Sequence, residues 1–414
     1  MKFKSSFLTV LLLCVFGLTW FTVKENGLKN ESKEDLIELS NIKYELANID
    51  VWKNIIQDLL VKKINEFELS GTQKSKIRPK LIKLFTKILS DYEKNYKQEQ
   101  GFLKVFGASV FDVFGTLKKE VPNMVDSTIK ELDGNKNKEY LKNILISKID
   151  EIVDSTFSKV DYTVHNDIVS KYSLTNGDSI KTTLATKVDK HESALYIYKV
   201  AIIIFSILLA SFIILGKVFS RIELLGLVAI ASLLLFMGVI LPMIEIDARI
   251  SEIKFEMLGE TVSFTNQVLY YKSKSIIEVV KLMLTQGGFD LLIVGLFIVL
   301  FSVVFPVSKL ISASVLIFKP NLSSNKVIYF LVNKTGKWSM ADVMVVSIFM
   351  AFIGFSGILT EQLGQIENMT PKIDILTTNK SSLQTGFVSF FCFAVIGILI
   401  SSKLNSYLKK VSQP

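Results

Sequence analysis

Apolar residues gather into six long runs, at residues 6–23, 194–218, 222–244, 289–318, 338–360 and 385–402. Each approaches or exceeds the roughly 20 residues that an α-helix needs to cross a bilayer. The pattern predicts an α-helical polytopic membrane protein with six transmembrane helices. The fourth run is over-long, so its cytoplasmic end is expected to leave the bilayer, or the helix to kink at Pro306. The first run follows Lys2 and Lys4 as a signal peptide would, but no small-x-small cleavage site comes after it. It reads as an uncleaved anchor.

Between the first two runs, residues 24–192 read as amphipathic helices. Leu39, Ile42, Leu46, Ile49, Trp52, Ile56 and Leu59 recur at helical steps, and Ser32-Lys-Glu-Asp35 resembles a capping box opening that helix. Ile77, Leu81, Leu84, Phe85, Ile88 and Tyr92 form a second stripe. Leu141, Leu145, Ile149, Ile152 and Phe157 form a third. Residues 102–115 are rich in Phe and nearly uncharged, as in a central core helix; the sharper alternative is a surface that holds an acyl chain. Residues 166–190 are polar and weakly patterned, and read as a linker to the second span.

Between the third and fourth runs, residues 244–250 and 253–257 alternate apolar and polar, the period of a strand. Gly259 offers a turn and residues 262–264 a further strand. Ser275-Ile-Ile-Glu278 is a capping pattern for a helix ending near Gly287-Gly288. A small strand-plus-helix cap is expected outside the third to sixth spans.

Charge then orients the chain. The net charge is +9. With the N-terminus inside, the inner segments carry Lys2, Lys4, Lys217, Arg221, Lys319, Lys326, Lys334, Lys337, Lys403, Lys409 and Lys410 and no acid, which exceeds the whole chain's excess. The basic balance is therefore a topology signal, with basic loops staying in the cytoplasm, and no nucleic-acid partner is implied. Both termini are expected in the cytoplasm and residues 24–192 outside it. Cys14 and Cys392, the two cysteines, lie in apolar runs, where neither is placed for a disulfide or a metal site. His165 and His191 fall in polar sequence and read as solvated.

Ionisable residues within spans are functional candidates, because insertion costs about 2.5–3.5 kcal/mol each. Lys309 lies late in the fourth run and Asp342 early in the fifth, with Ser302 and Ser339 at helical spacing from them. The alternative for Asp342 is a helix cap within Ser339-Met-Ala-Asp342, and for Lys309 a side chain that snorkels to the inner interface.

Val304-Phe-Pro-Val-Ser-Lys-Leu310 followed by Gly336-Lys-Trp-Ser-Met-Ala-Asp-Val343, with Gly386-Phe387 opening the last run, resembles the membrane module of the paraquat-inducible protein A (PqiA/LetA-type) family over about residues 222–404. The resemblance implies an inner-membrane protein of Gram-negative bacteria, acting in intermembrane lipid transport and envelope integrity with an MCE-domain partner and phospholipid as cargo. By position it carries over Ser302, Lys309, Ser339 and Asp342 as polar intramembrane residues, and Pro306 and Trp338 as structural ones. This chain has one such module and lacks the zinc-ribbon cysteines of many members, and the family's Thr in the last span falls near Ile396-Gly397.

The chain is thus expected to divide into an anchor (1–23), an extracytoplasmic helical domain (24–192), a second membrane helix (193–218), a four-helix membrane module (222–404) and a cytoplasmic tail (405–414). No Ser/His/Asp arrangement, metal-ligand spacing or phosphate loop is present in the sequence, so neither an enzyme nor a cofactor is expected. The alternative function is a membrane-anchored extracytoplasmic binding or sensor protein.

Overall fold

The structure is a computed structural model. It describes residues 2–46, 48–66, 78–83, 85–87, 118–126, 139, 142–143, 146–147, 149–150, 160–172, 177–216, 218–257, 260–285, 288–324, 341–368 and 373–411. The 102–115 segment, and most of the second and third amphipathic stripes, lie outside these residues; Leu81, Phe85 and Ile149 lie within them and are buried.

Five helices are long and apolar enough to cross a membrane, and the sixth predicted span falls short among the described residues. Helix α1 (Lys2–Leu39) carries the first run. It continues through Ser32–Asp35, so the expected capping box there does not form. Leu36 and Leu39 bury against Ile180, Leu184 and Val188, and that packing holds the helix past the polar residues.

The first amphipathic stripe is likewise divided, over the end of α1, a short turn of 3-10 helix at Ile42–Tyr44 and a second helix. Ser40 O accepts from Val268 N at 2.9 Å, so a sheet edge captures the chain where a continued helix was expected. Asn48 Oδ1 then accepts from Asp50 N at 2.9 Å and starts α2 (Ile49–Glu66). Trp52, fully buried, faces Phe264 with ring centroids 5.3 Å apart. Residues 166–190 are no linker. They hold α3 (Thr163–Tyr172) and the start of α4 (Gly177–Leu215), whose apolar positions four residues apart seal against α1 before the helix enters the second span.

Helix α5 (Arg221–Ile240) is the third span. Beyond it β1 (Ile244–Met257) and β2 (Glu260–Lys274) form an antiparallel hairpin. The two predicted strands of residues 244–257 are one strand, with an irregularity at Ala248/Arg249. Helix α6 (Ile276–Thr285) follows, opened by the predicted capping box: Ser275 N donates to Glu278 Oε2 at 2.8 Å, and Glu278 N to Ser275 Oγ at 3.2 Å. Ser275→Ala should cost about 1 kcal/mol of local stability, read as faster amide exchange over the first turn of α6.

The fourth run forms α7 (Phe289–Val299), a π-helical turn at Leu300–Val304 and α8 (Phe305–Phe318). Helix α9 (Ala341–Asn368), β3 (Ile373–Asn379), β4 (Ser382–Leu383) and α10 (Thr385–Val411) complete the fold. The sheet runs β2-β1-β3, with β4 also on β1, so two separate loops build it. β3 and β4 were not foreseen: their residues gain strand geometry by pairing with β1, not from a marked alternation of their own.

Contacts between helices set their depths. At the face that holds the termini, Arg221 Nε donates to Tyr407 Oη at 2.9 Å. At the sheet face, Gly386 N donates to Pro242 O at 3.0 Å. Between them α5 rises by about 30 Å, the thickness of a hydrocarbon core. Lys309 Nζ donates to Gly397 O at 3.2 Å, which registers α8 against α10. Gly397 lies about three turns from Gly386, and about three turns back from Lys309 is Ile298. Most of α7 therefore stands past the level of Gly386, on the sheet side. Phe349 lies 6.5 Å from Phe387, ring to ring, so the later part of α9 also extends past the sheet face, where Asn379 Nδ2 donates to Ser356 O at 3.2 Å. Its described apolar stretch, Ser347–Glu361, is short of a span.

Candidate functional site in the membrane core

Pro306 has no N–H, so the Ser302 carbonyl has no donor four residues on. The backbone shifts register: Phe305 N donates to Leu300 O, five residues back, which makes the π-helical turn. Such turns inside helices recur at functional sites. The predicted kink is thus a widened turn just before the proline. Ser302 is fully buried in it, and its Oγ has no hydrogen-bond partner among the described residues.

Lys309 is half-buried, with its ammonium on the Gly397 carbonyl. It does not snorkel alone to the terminal face. One neutral carbonyl offsets only part of the cost of a cation at this depth. Gly397, near which the resemblance places a threonine, offers Lys309 a backbone oxygen and no hydroxyl. Asp342 lies in the first turn of α9, about two turns deeper than Phe349, within about a turn of the depth of Lys309. The backbone thus sets α8, α9 and α10 around one level of the bilayer. The side chain of Asp342, and all of Trp338 and Ser339, lie outside the described residues.

Beside this site a cavity of about 390 Å³ lies between α5 and α8. Val228, Leu235, Phe236 and Val239 line one wall and Val303, Val307, Leu310 and Ile311 the other, with Ile277 of α6 at the sheet-side rim. Ser232 and Ser314 are its polar residues. A mostly apolar hollow with few polar groups suits an aliphatic ligand.

A second polar cluster was not foreseen. Glu245, at the start of β1, accepts from Lys29 Nζ at 2.7 Å and from Lys33 Nζ at 2.5 Å. Lys33 also reaches Glu192 of α4 at 2.6 Å, and Lys29 reaches Gln384, just before α10, at 3.4 Å. Arg249 clasps Asp247 with both Nε and Nη2, at 2.6 and 2.8 Å. Lys29, Lys33, Glu245, Asp247 and Arg249 are all less than 8% exposed. Burial by itself would raise the Glu245 carboxyl, but the two lysines outweigh it and hold it below the usual carboxylate range. Burial and the neighbouring carboxylates push the Tyr271 hydroxyl up.

The cluster ties α1 and α4 to the sheet and to the start of α10. In sequence these residues read as a solvated helix face and the polar positions of an alternating strand; only their distant pairing marks them. His191, expected to be solvated, also joins this helix pair, with Nδ1 2.7 Å from Glu25 Oε2.

Residues 262–365 match the family model described as paraquat-inducible protein A. The match runs from β2 to α9 and includes Ser302, Pro306, Lys309, Trp338, Ser339 and Asp342. It is narrower than the 222–404 expected, leaving α1–α5 and α10 outside. Among curated proteins and among solved structures, none matches the chain.

Proposed function

We propose that this multi-pass membrane protein, with its paraquat-inducible protein A match over residues 262–365, handles phospholipid in the bacterial inner membrane and passes it to or from an envelope partner of the MCE-domain type. In this reading the sheet side faces the periplasm, both termini face the cytoplasm, and the protein works without catalysis. The excess of basic residues at the ends of the chain and in the short connecting segments supports that orientation.

The observation that carries the reading is Lys309. A cation kept in the hydrocarbon, on a helix whose buried Ser302 hydroxyl has no partner among the described residues and which lines an apolar hollow, is costly unless it serves transport. The ammonium would form a charge pair with Asp342, which gates the lipid path or relays a proton.

Lys309→Ala and Asp342→Ala, each at normal expression, should make a strain that depends on this protein sensitive to detergent. Lys309→Arg should retain part of the resistance. The measurement is survival on detergent plates; full resistance of both alanine variants removes the role of the pair.

A further inference from the structure

Helix α7 lies past the level of Gly386, where α5 ends, and so outside a hydrocarbon layer the height of α5, yet it is apolar on nearly every side. Phe289, Leu292, Leu296 and Phe297 are exposed by 77, 47, 59 and 51%. A helix that is hydrophobic all round belongs in a protein core or in lipid, and an exposed apolar patch of this kind marks an interaction surface. Helix α6 packs alongside it, with Met283 against Gly295. The foot of this hairpin is continuous with the cavity between α5 and α8, since Ile277 of α6 forms the cavity's rim beside Val303. An apolar surface therefore runs without a break from the middle of the bilayer to about 15 Å above it.

We propose that this surface takes one acyl chain of a phospholipid from the sheet-side leaflet: the cavity admits the chain sideways, and the α6–α7 hairpin shields it as the lipid is lifted. This inference rests on the lipid-handling reading above and assigns that reading a path. Two observations favour an acyl chain over a protein partner. Leu291 and Val294 are exposed on the side of α7 opposite Phe289 and Leu296, so the exposed side chains lie around the helix, and a docked protein would cover one face and leave the others in water. The cavity also opens between two spans, where hydrocarbon is the medium at hand. Each methylene moved into water opposes extraction, so a chain leaves the bilayer only along a surface of this kind.

The test places a photo-crosslinking amino acid at Leu292, at Leu296 and, as a control, at Lys254, a partly exposed residue of the sheet. The full-length protein, monodisperse by gel filtration, is irradiated in vesicles of phosphatidylethanolamine and phosphatidylglycerol, and the adducts are weighed by mass spectrometry. Phospholipid adducts at Leu292 or Leu296, several-fold above those at Lys254, are expected. Adducts no more frequent than at Lys254, or adducts joining two protein chains, overturn the proposal. The two readings fail separately. Lipid adducts with a fully resistant Lys309→Ala strain would remove the Lys309 mechanism and leave the path. Missing adducts with a sensitive strain would remove the path alone.

Discussion

Glu245→Gln is expected to destabilise the protein by about 3–5 kcal/mol, the usual cost of removing one partner from a buried ion pair. The amide keeps the size of the carboxylate but leaves Lys29 and Lys33 facing a neutral group at the centre of the cluster. Heating in detergent followed by gel filtration reads the loss as an earlier collapse of the folded peak.

Two further measurements make the cause specific. Replacing the group together, with Lys29→Met, Lys33→Met and Glu245→Leu, should recover much of the loss, because a well-packed apolar set often matches a buried ion pair. Acid should act in one direction. The folded carboxyl of Glu245 is held below the ordinary range, so its contribution is complete at neutral pH. It disappears only as the pH falls below about 4 and through the lowered folded value. An unchanged acid limb in the Glu245→Gln variant would contradict the assignment.

Gly386→Ala should be as damaging, for a different reason. A Cβ there would fall on the carbonyl oxygen of Leu241 and within 2.6 Å of that of Pro242. Both are backbone atoms, and the second accepts the Gly386 N–H. At Gly238 a Cβ would meet Phe390 Cβ at 2.8 Å and its Cα and N at 2.9 Å. These two positions are where α5 and α10 cross at backbone distance. Overpacking of a core typically costs 1–3 kcal/mol, occasionally more, and the larger values are expected where no side chain can turn aside. Loss of monodisperse protein is the readout for Gly386→Ala and Gly238→Ala. Gly17→Ala and Gly354→Ala, with nothing within 4 Å of the added Cβ, should behave as the parent does; equal yields for all four would dismiss the crossing as a constraint.

Membrane helices were legible because hydrocarbon demands a long uncharged run, and that demand is met one residue at a time along the chain. The hairpin of β1 and β2 and the cap of α6 were legible for a similar reason: alternation and the Ser275/Glu278 pair are local. Local pattern misleads where a partner is remote. Ser32–Asp35 has the local form of a helix start, but Ile180 and Leu184 outweigh it. The strands of residues 373–383 exist because β1 offers them an edge.

The sequence by itself determined that this is a multi-pass helical membrane protein, and it placed Ser302, Pro306 and Lys309 together in its fourth apolar run. Each follows from composition or spacing within one segment. The tertiary structure decided that Lys309 meets Gly397, that Lys29 and Lys33 converge on Glu245, and that α7 rises past the level of Gly386. Those facts depend on the register between helices far apart in the chain, which is set by close packing at contacts such as Gly386 against Leu241 and which no local pattern encodes.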